Sequence, residues 1–170
     1  MKFSFRRSAI LPWIVILVLL AALPFAIFEF SQTGEFYMFS PRFIEEMLAR
    51  LSGPGRFRFL LQPSVAVILG LRDGARDARA GAAPFLSALM LHRTQRTELF
   101  RDALASVRNL VLVAILLDVV AQVVMFRMVH PGAALLLGPL LIGMPYAISR
   151  ALTNRIARWR RTGLPTTETG

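Results

Sequence analysis

Apolar residues run in long blocks through much of this chain. Ser8 to Phe28 is the first block. At about 1.5 Å of rise per residue, it reaches roughly 30 Å as a helix, the thickness of a bilayer's hydrocarbon core. Leu110 to Phe126 and Pro131 to Ser149 are two further blocks, parted only by Arg127 to His130. So short a break predicts a tight antiparallel helical hairpin. Pro131 suits the first turn of the last helix, where its missing N–H costs nothing. Phe59 to Leu71 is a shorter apolar run that could cross or lie at the interface. Between the first two blocks the pattern turns helical. Ser40 can cap, Pro41 fits the first position and Gly53-Pro54 stops the helix. Phe43, Ile44, Met47, Leu48 and Leu51 share one face, and Arg42, Glu45, Glu46 and Arg50 the other. A lid over apolar surface and a partner-binding helix both fit that pattern.

Charge decides the ambiguous run. If Phe59 to Leu71 crosses, fifteen of the twenty basic residues lie on the N-terminal side and five opposite. If it does not, the arginines of the 72–108 segment and of the tail fall opposite the N-terminus. Positive residues favour the cytoplasmic side, so crossing is preferred. Arg58 and Arg72 can snorkel to lengthen the span. Lys2, Arg6 and Arg7 precede the first block, which is too long for a signal peptide's apolar core and has no clean cleavage site after it, so a signal anchor is expected. The expected fold is therefore an all-α integral membrane protein with about four transmembrane helices, at about 8–28, 57–72, 108–128 and 131–149. An amphipathic interfacial helix is expected at about 41–52, a cytoplasmic or interfacial segment at 73–107 and a basic C-terminal tail at 150–170, all within one membrane domain, 1–170. Both termini are placed in the cytoplasm, and the expected location is the bacterial cytoplasmic (inner) membrane.

The 170 residues are 55% hydrophobic, with a mean hydropathy of +0.57, which agrees with a membrane class. There is no Cys, so disulfides and thiol chemistry are excluded. His92 and His130 are the only imidazoles, and neither has another ligand at metal spacing, so no metal and no cofactor are expected. The net charge is +10 and almost wholly arginine. The arginines flank apolar blocks and no nucleic-acid fold motif is visible, so lipid headgroups are the expected contact and nucleic acid is not. Ser64, Ser87 and Ser149 have no His nearby in sequence, and no catalytic set stands out.

Two constellations carry candidate chemistry. Asp118 sits inside an apolar block, four residues from Gln122 and on the same helical face. A carboxylate at that depth needs a partner, a water pocket or a proton. A structural clasp, a contact to another subunit and ion or proton transport are the three readings. The second constellation lies in Gln62 to Gly81. Ala66, Gly70, Gly74 and Ala78 recur every four residues, a stripe on which another helix can pack closely. Arg72, Asp73, Arg76, Asp77 and Arg79 decorate the same helix and could pair with each other, with lipid phosphates or with a partner. From Ala82 to Arg108 two helical pieces are expected, the first opened by Pro84 with Phe85, Leu89 and Met90 as anchors, the second capped by Thr97. Gly138-Pro139, Gly143 and Pro145 would kink the last span.

The Asp-Gly and Ala-Arg pairs around Asp73 resemble part of the CDP-alcohol phosphotransferase signature. The spacing departs by one residue and the downstream paired aspartates are absent, so that enzyme is set aside. A broader resemblance rests on Gln62-Pro63, the RDGARDARAG run from Arg72 to Gly81, Pro84-Phe85-Leu86, Asp118-Val119-Val120 with Gln122, Pro131-Gly132 and Asn154 to Arg158. On these residues the chain resembles a family of small uncharacterised bacterial inner-membrane proteins. The resemblance implies class and location only. The expected role is a non-enzymatic subunit or scaffold that binds partner membrane proteins, a second copy of itself or anionic lipid. The alternative is a small transporter or channel subunit using Asp118.

Overall fold

A computed structural model describes residues 10–34, 37–53, 56–91 and 96–162. His92, Arg93, Lys2, Arg6, Arg7, Pro54 and the tail beyond 162 lie outside the described residues. Six α-helices follow in order: α1 Ile10–Thr33, α2 Pro41–Ser52, α3 Arg58–Arg79, α4 Phe85–Leu91, α5 Arg96–Phe126 and α6 Pro131–Thr162, with a short 3-10 turn at Tyr37–Phe39. No strand occurs among the described residues.

Helices α1, α5 and α6 are each long and apolar enough to cross a membrane, the build of a multi-pass membrane protein. Helix α3 has 22 residues but is not one of these three, because its second half carries Arg72, Asp73, Arg76, Asp77 and Arg79. It also starts at Arg58, so Pro63 lies inside the helix instead of opening it. Its first-turn amides are satisfied from upstream: Phe59 N donates to Arg56 O, and Leu60 N and Leu61 N to Phe57 O. The expected connecting segment 73–107 is largely absorbed into helices. Helix α3 runs through to Arg79, and α5 starts at Arg96 and enters the apolar block without a break. The tail is likewise helical as far as Thr162. The break at Arg127–His130 falls where the sequence places it, with Arg127 in a left-handed conformation (φ 58°) ending α5.

The chain forms two compact units, residues 1–62 with 108–142, and residues 63–107 with 143–170. In the first, Val15 of α1, Ile115 and Val119 of α5 and Ala134 of α6 form a buried apolar cluster. Gly138 lets α6 approach α5, since a Cβ there would lie 3.1 Å from the Ile115 backbone nitrogen. Helix α2 presents a reversed pattern for a lid in water. Ile44 and Leu48 are each 57% exposed, whereas Glu46 is buried and Arg50 is only 1% exposed. Ser40 precedes α2 as expected, but its hydroxyl donates back to Tyr37 O at 2.9 Å and does not cap a helix amide.

In the second unit, Ala66, Gly70, Gly74 and Ala78 are all buried. The two glycines face α6. A Cβ on Gly70 would lie 2.6 Å from the Tyr146 carbonyl oxygen, and one on Gly74 2.9 Å from Thr153 Cβ. Gly81, at φ +70°, ends α3, with Ala82 N donating to Asp77 O at 3.0 Å. Phe85 and Ala88 anchor α4, whereas Met90, an expected anchor, is exposed. A prediction follows from the helix contact. Gly74→Ala should cost about 1–3 kcal/mol, because the new methyl meets backbone that cannot move aside. Gly143→Ala, with nothing within 4 Å of the new methyl, should be neutral or slightly stabilising. Unfolding in mixed micelles with rising SDS would compare them; equal losses would remove close α3–α6 packing as the reason for Gly74.

Candidate functional site

The polar groups of the first unit form one closed circuit. On α5, Gln122 lies one turn beyond Asp118 and donates Nε2–H to its Oδ2 at 2.7 Å. The carboxylate also takes Arg58 Nη2 on its Oδ1 in a close ion pair, and Arg50 Nη1 lies 3.5 Å from both of its oxygens. Arg50 comes from the inward face of α2, and its Nη2 donates to the Tyr37 hydroxyl at 3.2 Å. Tyr37 donates to Glu46 Oε2 at 2.5 Å. Glu46 Oε1 accepts from Arg42 Nε at 2.8 Å, and Arg42 Nη1 donates to Glu29 Oε1 at 2.7 Å. Glu29 Oε2 meets His130 Nε2 at 2.6 Å. The backbone N–H of His130 donates to Gln122 Oε1 at 2.7 Å, which closes the ring. The Tyr37 and His130 rings stack at 3.4 Å between centroids. Three carboxylates, Glu29, Glu46 and Asp118, meet three guanidiniums, Arg42, Arg50 and Arg58. Arg42 stays half-exposed, and burying the other charges is tolerable because each has an opposite charge as a partner, although Arg50 Nε and Arg58 Nε and Nη1 have no acceptor among the described residues.

Sequence alone pairs Asp118 with Gln122 but misses Arg50, Arg58, Glu29, Tyr37 and His130 as members. Glu29 and His130 are 101 residues apart. The available signal is that Glu29 is a lone acid at the end of an apolar block, and such a group needs a partner as much as Asp118 does.

Electrostatics in the circuit have identifiable causes. Burial, then the hydrogen bond to Glu46, push the Tyr37 hydroxyl well above its ordinary range, so it stays a donor. Burial opposes the Arg42 charge, but Glu46 and Glu29 outweigh it and the guanidinium is held charged. Burial lowers the His130 imidazole below its usual value, against the pull of Glu29. The geometry gives the reason. Nε2–H can donate to Glu29, whereas Nδ1 is buried with no partner among the described residues, so protonating it would leave an unpaired N–H in a dry place. Because the folded-state pKa is lowered, the unfolded chain binds the extra proton first as pH falls. Stability from this group is full above about pH 6.5, the ordinary His value, and is lost as pH falls below it. His130→Gln should flatten the unfolding midpoint between about pH 7 and pH 5, by the same linkage. An unaltered slope in that variant would assign the acid sensitivity to other groups.

The second unit has its own centre. Arg150, within the expected basic tail, is buried. It donates Nε to Asp77 Oδ2 at 2.7 Å, Nη2 to Asp77 Oδ1 at 3.1 Å and to Asp102 Oδ2 at 2.9 Å, and Nη1 to the Tyr146 hydroxyl at 2.9 Å. Tyr146 donates to Asp73 Oδ2 at 2.8 Å, and the Arg150 guanidinium lies 4.7 Å from the Phe85 ring centre. The Arg/Asp set on α3 is thereby divided. Asp73 and Asp77 serve the interior of this unit, while Arg72, Arg76 and Arg79 are exposed. Asn154 donates to Ala82 O at 3.1 Å.

A cavity of about 610 Å³ opens beside the first circuit. Its wall is the C-terminal end of α1, with Leu23, Ile27 and Phe30, and its polar lining includes Glu29, Arg42, Glu45 and His130. No group of three or more metal-ligating side chains occurs among the described residues. Comparison with protein-family models, with curated proteins and with solved structures finds no match to this chain.

Proposed function

We propose that the chain is a non-enzymatic membrane protein, a subunit or scaffold that works through its lipid-facing surface. In this reading it lies in the bacterial inner membrane with both termini cytoplasmic. The first half of α3 adds a fourth crossing, and the exposed Arg72, Arg76, Arg79, Arg155 and Arg158 meet headgroups on the cytoplasmic side. Asp118 lies eight residues before the end of α5, about 12 Å along the helix. Arg50 reaches it from α2, so α2 is embedded at the outer boundary, with Ile44, Leu48 and Leu51 turned to lipid.

The observation that carries the reading is the full occupancy of Asp118 by Arg50, Arg58 and Gln122. A carboxylate that carries ions or protons must exchange partners. This one is held by two guanidiniums, and a clasp is the role that suits it. Within the stripe, Gly70 and Gly74 are already filled by α6, and Ala66 and Ala78 are buried. Lipid is therefore the favoured partner. Purification in mild detergent should retain bound phospholipid, and proteoliposomes should show no proton or ion flux above empty vesicles. Flux that disappears in Asp118→Asn would establish transport instead, and a lipid-free monomer would remove the scaffold reading.

A further inference from the structure

We propose that the cavity at the C-terminal end of α1 receives the headgroup of a phospholipid carrying both a phosphate and a primary ammonium. The proposal rests on the lipid-engaging reading above and names the lipid. Its position fits, since α1 is a span and its last turns lie where headgroups begin. The volume, about 610 Å³, is that of a small-molecule site. Leu23, Ile27 and Phe30 give it an exposed apolar wall along which an acyl chain can lie.

The charges select the headgroup. Glu29 is already committed to Arg42 and His130. Two lining groups are not used up. Arg42 is half-exposed, and its Nη2 has no acceptor among the described residues once Nε and Nη1 are bound to Glu46 and Glu29. Glu45, three residues along the same helix, is exposed and forms no ion pair among the described residues. Residues three apart on a helix are neighbours. The cavity thus offers one spare N–H donor for a phosphate oxygen and one spare carboxylate for an N–H-bearing cation. A purely anionic headgroup would leave Glu45 facing like charge. A quaternary ammonium has no N–H to give it.

The test uses the full chain in dodecyl maltoside, titrated with phosphatidylethanolamine, phosphatidylcholine and phosphatidylglycerol of identical acyl chains and read by native mass spectrometry. Phosphatidylethanolamine should bind one per chain, about tenfold more tightly than the other two, as a charge-assisted hydrogen bond allows. Glu45→Gln should erase that preference without moving the unfolding midpoint, since Glu45 bonds no other side chain among the described residues. Arg42→Gln should weaken all three lipids. Equal binding of the three lipids, or a preference unchanged in Glu45→Gln, overturns the proposal. So does competition by chain-free glycerophosphoethanolamine at the same concentration, which would make the ligand a soluble phosphate ester. Retained lipid without headgroup preference defeats this proposal alone, whereas a chain that retains no lipid defeats the scaffold reading as well.

Discussion

Asp118→Ala is expected to cost about 3–5 kcal/mol of stability, the loss that follows when one partner of a buried ion pair is removed. Asp118 is 2% exposed and Arg50 1%, so neither can recruit water in compensation. The substitution strands Arg58, leaves Arg50 only Tyr37 and a 4.0 Å approach to Glu46, and leaves Gln122 Nε2 only the His130 carbonyl at 3.5 Å. Asp118→Asn keeps the shape and removes the charge, so it should lose much of the same stability. A triple change to Asp118→Leu, Arg50→Met and Arg58→Met should recover a large part of the loss, because apolar groups of similar volume commonly replace buried ion pairs without net cost. Unfolding in mixed micelles with rising SDS measures all three. A loss below about 1 kcal/mol for Asp118→Ala, the scale of an exposed pair, would show that the carboxylate is solvated and is not a clasp.

The readable part of this fold is the part governed by local pattern. The apolar blocks, the break at Arg127–His130, the shared face of Asp118 and Gln122 and the four-residue stripe on α3 all depend on spacing within one helix. What spacing cannot supply is the direction of a polar face when the solvent is lipid. Helix α2 shows this most clearly. In water its Arg and Glu face would turn outward. Here Ile44, Leu48 and Leu51 are exposed while Glu46 and Arg50 turn in toward Tyr37 and Asp118, and in the membrane reading proposed above hydrocarbon outside α2 makes that the cheap arrangement. The same inversion hides Arg150. Counted along the chain it belongs with Arg155, Arg158 and Arg160 as a basic tail, and only three-dimensional proximity to Asp77 and Asp102 distinguishes it. The chain also forms two compact units, each drawing on distant stretches of sequence. No local signal marks that division, since α3, α5 and α6 each run on through one of its three boundaries.

Arg150→Met should be the corresponding lesion in the second unit, at about 3–5 kcal/mol. Its partners will not suffer equally. Asp102 is half-exposed and can return to water, whereas Asp77 is mostly buried and would be left as the uncompensated charge. Arg150→Met combined with Asp77→Asn should therefore be milder than Arg150→Met alone, while adding Asp102→Asn should give little further relief. Tyr146 would lose one contact but keep Asp73, so the Gly70 and Gly74 packing should persist and the helix content at low SDS should not change. Arg155→Met, at an exposed neighbouring position, should stay within about 0.5 kcal/mol of the parent. These outcomes separate two roles for a basic residue at the end of a span. A headgroup contact would make Arg150→Met nearly neutral in neutral detergent and costly only with anionic lipid. An internal ion pair makes it costly in both, and only the internal pair is relieved by neutralising Asp77.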